Sequence, residues 1–150
     1  MVAKIDITNG YYLIKRSAFC FGEADFYYHA NSKLLGAIAK VESDYQSHAI
    51  NINRNSQSKT TSIDYGLIQI NSHWFFRLSP FGVNKDNLLS DACNNVNIGA
   101  WVLSQNFSTH GYNWNSVGAY NAGFSAKTLT RRLTYIRKIK AALATLNRST

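Results

Sequence analysis

Apolar side chains recur at helical spacing in three long stretches of this chain. The first begins near Asn31 or Ser32, either of which can cap a helix. The second begins near Ser90 or Asp91 and ends at His110, and the third runs from about 126 to 147. The predicted stripes are Leu34, Ile38, Val41 and Tyr45; Val96, Ala100, Leu103 and Phe107; and Leu129, Leu133, Ile136, Ile139, Leu143 and Leu146. A shorter helix is predicted over 21–28.

A small β element is predicted between the first two long helices. Residues 51–62 carry almost no apolar side chain and are predicted to form an exposed loop or hairpin tip. From Ile63 to Asn71 the β-branched pattern, broken by Gly66, predicts a short strand that ends in a turn. Pro80 marks a loop before the second long helix. The predicted architecture is therefore mainly helical (α+β) with one small inserted β element.

Length and composition predict one globular domain. The chain has 150 residues, of which 45% are hydrophobic and 16% charged, and these fractions exclude a disordered tail, a coiled coil or a collagenous rod. Residues 1–19 show weak periodicity and are predicted to be an N-terminal arm of uncertain order; 20–150 form the domain. No apolar run approaches the roughly 20 residues of a membrane span. None suits a signal-peptide core either, so any export signal is expected outside this sequence.

The net charge of +8 favours an anionic partner such as nucleic acid, a membrane surface or an acidic polysaccharide. Many of the basic residues lie in the predicted last helix. The alternative to an anion-binding surface is that they form an ordinary solvated face of that helix. No motif that reads nucleic acid and no glycine-rich phosphate loop is found, so neither nucleic-acid binding nor a cofactor is predicted. The histidines show no HxxH or HxxxH pairing, so no metal site is predicted.

Two cysteines, Cys20 and Cys93, match no CxxC or zinc spacing. They are either two buried thiols or the ends of a bridge. A bridge would close a loop of about 74 residues and so stabilise the folded state by roughly 4 kcal/mol, through the entropy that the unfolded chain loses. Their number alone leaves both possibilities open.

Glu42 is the residue most suited to acid chemistry. It lies beside Val41 at the edge of the first apolar stripe, near the C-terminal end of its helix. Burial and the negative end of the helix dipole both disfavour a carboxylate, so both raise the pKa of its carboxyl group. A general acid that works near neutrality needs a raised pKa of this kind. The alternative is an ordinary surface glutamate at the rim of an amphipathic helix.

Four segments resemble known motifs, in the family's order and at sensible spacing. Residues 39–43 (AKVES) and 64–72 (DYGLIQINS) resemble the active-site region of the lysozyme superfamily. Residues 118–123 (GAYNAG) resemble the AYNAG signature of lytic transglycosylases, and 135–139 (YIRKI) resemble their last motif. The resemblance covers about 20–146. It is nearest to the small transglycosylases of type III and type IV secretion and conjugation machines, which share the Cys-Phe opening and the later cysteine.

The resemblance implies a lysozyme-like fold, in which an active-site cleft separates a helical lobe from a small β-hairpin element. It also implies cleavage of the bond between N-acetylmuramic acid and N-acetylglucosamine, with Glu42 as acid and then base and a 1,6-anhydromuramic product. Five further residues are implied to contact substrate or to support Glu42: Ser43, Gln69, Tyr120, Asn121 and Tyr135. Tyr135 is implied to hydrogen-bond Glu42. Core packing or surface positions are the alternative for each.

Asp64 departs from the pattern of the larger transglycosylases and resembles the second carboxylate of c-type lysozymes. With Glu42 it would make a muramidase that hydrolyses the same bond. Carboxyl separations of about 5–5.5 Å suit retention of configuration, and about 6.5–9.5 Å suit inversion. Asp64 could equally cap a turn.

The implied substrate lies outside the inner membrane, so the resemblance implies a periplasmic protein in which a Cys20–Cys93 bridge can form. It implies peptidoglycan strands as partner, with a secretion or conjugation apparatus beside them, and a monomer. A binding module without turnover, either a sugar-binding scaffold or an adaptor, is the alternative from another class.

Overall fold

A computed structural model describes residues 19–149. The arm predicted for residues 1–19 lies outside this range except for Phe19. The elements follow in the order α1 Phe21–Tyr28, α2 Ser32–Ser43, β1 Ile50–Arg54, β2 Thr60–Tyr65, β3 Ile70–Asn71, α3 Phe75–Leu78, α4 Lys85–Ser90, α5 Ala92–His110, α6 Trp114–Ala122 and α7 Leu129–Arg148. Single 3-10 turns lie at Ser72–Trp74, Ser79–Phe81 and Ala126–Thr128. The predicted mainly helical class with one small β element is confirmed.

The three strands form one antiparallel sheet in the order β1-β2-β3. Part of the segment predicted as an exposed loop is strand β1, which pairs with β2 from Ile50 opposite Tyr65 onwards. The loop prediction was therefore wrong for the arms of this hairpin. The reason is that the apolar–polar alternation of β1 (ININR) is short and only one of its two isoleucines, Ile52, lies within 51–62, so polar residues dominate that segment. Both isoleucines are exposed, at 54% and 47%, so burial does not mark the strand either.

The single strand predicted over 63–71 is two strands separated by a turn. Gly66 has φ +81° and Gln69 has φ +54°, and these left-handed conformations reverse the chain so that β3 pairs back on β2. Leu67 and Ile68, between them, have no exposed surface. The turn of residues 66–69 is thus part of the hydrophobic core.

The helices surround this turn. Helix α7 packs on α2 and α6, while α5 packs on α1, α4 and α6. The largest fully buried apolar side chains come both from the sheet with its turn and from the helices: Leu35, Ile38, Leu67, Ile68, Ile70, Leu88, Val96, Leu103 and Ile139. One continuous core therefore joins the sheet to the helices.

Two details of the predicted stripes were wrong. Helix α2 ends at Ser43 because Asp44 and Tyr45 both have positive φ, so Tyr45 lies beyond it and packs against Phe19. On α7, Leu129 and Leu133 are about half exposed, at 49% and 50%.

Arg132 occupies the buried face of α7 near Leu129 and Leu133. Its Nη1 donates to the carbonyl oxygens of Gly123 at 2.9 Å and Ser125 at 2.7 Å, and its Nε donates to Asn115 Oδ1 at 3.0 Å. The two carbonyl groups follow the C-terminal end of α6, where the helix dipole attracts a cation, while Asn115 lies in the first turn of that helix. Hydrogen bonding therefore makes a charged residue more suitable than leucine at this core position.

Cys20 and Cys93 form a disulfide with Cα atoms 5.1 Å apart, which ties the start of α1 to the first turn of α5. It closes a loop with a sequence separation of 73 residues. None of the helices between residues 19 and 149 combines the length and apolar character needed to cross a bilayer.

Asn95 holds the turn of residues 66–69 against α5. Its Oδ1 accepts from the Ile68 amide at 2.9 Å, and its Nδ2 donates to the carbonyl oxygens of Tyr65 at 2.8 Å and Leu88 at 3.1 Å. Asn95 has no exposed surface. Three buried backbone groups therefore depend on one side chain.

We expect Asn95→Ala to lower the free energy of unfolding by at least about 3 kcal/mol, because each orphaned buried group costs about 1–3 kcal/mol. Urea unfolding followed by circular dichroism measures this. Asn94→Ala is the matched control: it lies one residue away on the same helix and should change stability by less than about 0.5 kcal/mol. Equal stability of the two variants would contradict the role of Asn95.

Candidate active site

Glu42 stands in the last turn of α2, beside the C-terminal end of that helix. Asn31 caps the start of α2 by accepting from the Leu34 amide at 3.0 Å, and the core-facing residues run from Leu34 to Ala39. The left-handed Asp44 ends the helix directly after Ser43, so Glu42, the one acidic residue of α2, lies next to the helix end.

The Glu42 carboxyl group is accessible from the cleft, but the surrounding protein removes most of its hydration. The pKa of Glu42 is raised to about 7, chiefly by this burial, and the charge of Asp64 acts in the same direction. The Tyr135 hydroxyl donates to Glu42 Oε1 at 2.7 Å and, with the charge of Lys138, opposes that rise. Glu42 is therefore balanced between its acid and base forms near neutral pH.

Tyr135 is itself almost fully buried on α7, at 4% exposure. Burial and the charge of Glu42 raise the pKa of its phenol well above the ordinary value, so it remains a hydrogen-bond donor. The contact predicted between Tyr135 and Glu42 is present, and it joins two helices 93 residues apart in sequence.

Asp64 lies on β2 and is held by the neighbouring strands. Asn53 Nδ2 on β1 donates to Asp64 Oδ2 at 2.7 Å, and Asn71 Nδ2 on β3 donates to Asp64 Oδ1 at 2.7 Å. Both carboxyl oxygens thus accept an amide hydrogen bond. The arrangement depends on the register of the sheet. On β3, Asn71 stands opposite Asp64; on β1, the residue opposite Asp64 is Asn51, and Asn53 lies two residues further along that strand.

Glu42 and Asp64 line the same open cleft, which has a volume of about 590 Å³. A second section of about 470 Å³ continues from them toward the end of α2 and the start of β1. The residues shared by both sections are Glu42, Asn53, Asp64, Gln69 and Asn121. Glu42 therefore sits where the two sections meet, as a group acting on an internal bond of a long chain would.

The donor groups of three other predicted site residues are directed to the backbone. Ser43 Oγ is 2.6 Å from the Leu67 carbonyl oxygen and Tyr120 Oη is 2.7 Å from that of Ile68. Gln69 Nε2 donates to the carbonyl oxygens of Gly66 at 2.9 Å and Ala49 at 3.2 Å. In this structure these three side chains hold the turn of residues 66–69 in place.

Asn121 differs from these residues. It is exposed, lines both sections of the cleft, and its side chain makes no hydrogen bond to the described part of the chain. Its amide is therefore available to a ligand in the cleft.

Sequence reasoning missed Asn53, Asn71 and Asn95. Asn53 falls in the polar segment predicted as a loop, and Asn71 stands inside the DYGLIQINS motif without a role of its own. Asn95 lies in an amphipathic helix next to Val96 of the apolar stripe, and the sequence pattern alone does not distinguish it from the polar residues on the exposed face. A signal for Asn53 and Asn71 exists only once the register of the sheet is known. Among residues 19–149, no group of three or more His, Cys, Asp or Glu side chains could hold a metal ion.

Comparison with known proteins agrees with this geometry. The family model described as the transglycosylase SLT domain matches residues 19–143. The chain belongs to this family. The match spans every element described above except the end of α7.

Three relatives illustrate the similarity. The chain is 42% identical over 122 residues to invasion protein IagB of Salmonella typhimurium, covering 81% of this chain and 73% of that protein. It is 38% identical over 133 residues to a peptidoglycan-binding-like protein of Escherichia coli O157:H7, covering 87% and 80%. Protein IpgF of Shigella flexneri is 38% identical over 122 residues, covering 81% and 77%.

The environment of Glu42 predicts a distinctive titration. In protein labelled with carboxyl-¹³C glutamate, which occurs only at positions 23 and 42, we expect the Glu42 signal to titrate near pH 7. Tyr135→Phe should move this pKa up, since it removes a donor to the carboxylate. Asp64→Asn should move it down, since it removes a like charge.

Asp86→Asn is the control for the second variant. It removes the same charge from the start of α4, outside both cleft sections, and should leave the pKa of Glu42 unchanged. Titration of Glu42 near 4.5, the ordinary value for glutamate, would contradict the burial of the carboxyl group.

Proposed function

We propose that this protein is a peptidoglycan lytic transglycosylase. It would cleave the β-1,4 bond between N-acetylmuramic acid and N-acetylglucosamine and leave 1,6-anhydromuramic ends. The observation that carries the proposal is Glu42 itself: a carboxyl group at the junction of two cleft sections, with a pKa raised to about 7 and a hydrogen bond from Tyr135. Membership of the transglycosylase SLT domain family supports it.

The reaction requires one group that is first an acid and then a base. Protonated Glu42 gives its proton to the glycosidic oxygen as the bond from that oxygen to C1 of the muramic residue breaks. The acetamido oxygen of the same residue stabilises the positive charge at C1. The Glu42 carboxylate then takes the proton of the C6 hydroxyl while the C6 oxygen bonds to C1. No water is consumed, and Glu42 ends protonated as it began.

The environment of Glu42 favours this exchange. A pKa of about 7 places the acid and base forms within a small free-energy difference at neutral pH. Tyr135 donates to the carboxylate and so stabilises the form that follows the first proton transfer. Asp64 contributes through its charge, which raises the pKa of Glu42, while two asparagines hold its oxygens.

The products of purified peptidoglycan test the proposal. We expect the wild-type protein to release muropeptides that weigh one water less than their hydrolysed counterparts, as measured by mass spectrometry. Glu42→Gln should reduce release by at least about 100-fold while the protein stays folded, because the amide cannot donate the same proton. Activity should fall as pH rises through 7, where the acid form is lost.

Asn97→Ala, on the α1-facing part of α5 and outside both cleft sections, should leave product release unchanged. Binding of peptidoglycan without any release by the wild-type protein would overturn the proposal and favour a wall-binding module. One relative carries the name peptidoglycan-binding-like protein, which makes this alternative worth testing.

A muramidase is the second candidate, because Asp64 lines the same cleft and its charge acts on Glu42. In that mechanism Asp64 stabilises the cation or attacks C1, and water completes hydrolysis. If the transglycosylase proposal is right, Asp64→Asn should lower the rate by less than Glu42→Gln and still yield anhydro products. Reducing-end products, with both variants equally inactive, would establish the muramidase instead.

We propose an extracytoplasmic, and specifically periplasmic, site of action beside a secretion or conjugation apparatus. The disulfide between Cys20 and Cys93 supports an oxidising compartment. The net charge of +8 suits an anionic cell wall. Similarity to a relative named as an invasion protein supports the link to an apparatus that reaches other cells.

A further inference from the structure

Two guanidinium groups on the walls of the cleft have no hydrogen-bond acceptor among residues 19–149. Arg77 on α3 and Arg131 in the first turn of α7 both line the section of about 590 Å³ that contains Glu42. Both side chains are exposed, and neither makes a hydrogen bond or ion pair with any residue between 19 and 149. Arg132, next to Arg131, is instead fully engaged with carbonyl oxygens.

The carboxyl groups of the cleft do not neutralise these arginines. Glu42 accepts from Tyr135, and Asp64 accepts from two asparagines. Among the described residues that line the cleft, the two arginines therefore have charge and N–H donors to offer to a ligand.

Arg77 is oriented by aromatic contacts. Its guanidinium carbon lies 5.1 Å from the centroid of the Trp101 ring and 5.7 Å from that of Trp74. The two indoles pack edge to face with centroids 5.6 Å apart. Contact with ring faces steadies a guanidinium while its N–H groups, which lie in its own plane, remain able to donate to a planar anion. A donor held in this way loses less entropy when it binds.

The arginines also lie on one side of the candidate catalytic acid. The second section, of about 470 Å³, shares Glu42 and Asp64 with the first but contains neither Arg77 nor Arg131. The lysine that lines this second section, Lys40, is paired with Asp44, which lines it too. A glycan strand that crosses Glu42 would thus meet the two guanidinium groups in one direction only. Carboxylate is the anion that such a strand carries, either on the lactyl group of muramic acid or on the peptide attached there.

We propose that Arg77 and Arg131 bind carboxylate groups borne by muramic acid residues on one side of the scissile bond. This inference rests on the proposed function, since it names the feature of peptidoglycan that the same cleft selects. It predicts a preference for carboxylate-bearing glycan over neutral chitooligosaccharide of equal length. The two sources of carboxylate are distinguishable, because attachment of peptide converts the lactyl carboxylate to an amide.

Binding to the Glu42→Gln protein tests the inference independently of turnover. Three soluble oligomers of equal length serve as probes: a chitooligosaccharide, a peptide-free strand of alternating N-acetylglucosamine and N-acetylmuramic acid, and that strand carrying its peptides. We expect Arg77→Gln and Arg131→Gln, each added to Glu42→Gln, to weaken binding of a carboxylate-bearing probe about tenfold. Chitooligosaccharide binding should stay unchanged.

Arg137→Gln is the matched control. It removes the same charge from α7, and Arg137 is exposed and lies outside both cleft sections. Arg77→Lys adds a second check on Arg77: it keeps the charge but loses the planar fork, so it should still weaken binding.

If the arginine variants lose affinity only for the peptide-free strand, the arginines bind the lactyl carboxylate. If they lose affinity only for the peptide-bearing strand, the arginines bind a carboxylate of the peptide. Loss on both would show that the arginines accept either source. The inference is overturned if the cleft variants bind every probe as Arg137→Gln does, or if they weaken chitooligosaccharide binding equally. Absence of turnover by the wild-type protein on peptidoglycan would instead refute the proposed function and leave the binding result intact.

Discussion

The turn of residues 66–69 has to be buried and yet hydrogen-bonded, and the rest of the structure depends on how this is achieved. Leu67 and Ile68 have no exposed surface, so their backbone groups cannot turn to water. Ser43 on α2, Asn95 on α5 and Tyr120 on α6 provide the partners. Each of these helices is thereby fixed relative to the sheet by one short segment.

Close packing adds to this constraint. A side chain at Gly66, which has φ +81°, would collide with the Asn95 amide, and one at Gly99 would collide with Ile68. The glycines let α5 approach the turn closely enough for Asn95 to reach three backbone groups. The distance between the β-sheet and the helices is set in this way, and with it the width of the cleft.

The cleft combines two carboxyl groups whose surroundings differ. Glu42 comes from a helix end and loses hydration, so its pKa rises to about 7. Asp64 comes from the middle of a sheet, where two side-chain amides replace water around both oxygens. One group is thereby suited to proton transfer and the other to a fixed electrostatic role. The difference arises from the elements that carry the two residues, since both are ordinary carboxylic acids.

The sequence by itself determined helices α1, α2, α5 and α7, the mainly helical class and the position of Glu42 at a helix end, because helical periodicity and caps are local properties. The shorter helices α3, α4 and α6 were not predicted. Its motifs also indicated the family, now shown by the match over 19–143. Strand β1 was not predicted because its alternation is short and only Ile52 is apolar within the polar segment 51–62. The burial of Arg132 was not predicted because it depends on carbonyl oxygens of the segment that follows α6.

Only the tertiary structure decided which candidate site residues bond to the backbone and which face the cleft. Ser43, Gln69 and Tyr120 direct their donors to backbone carbonyls, while Asn121 faces the cleft unbonded to the described chain. The pairing of Asp64 with Asn53 and Asn71 needed the register of three strands. Such contacts join residues far apart in sequence, and their energies depend on distances and burial that no local pattern encodes.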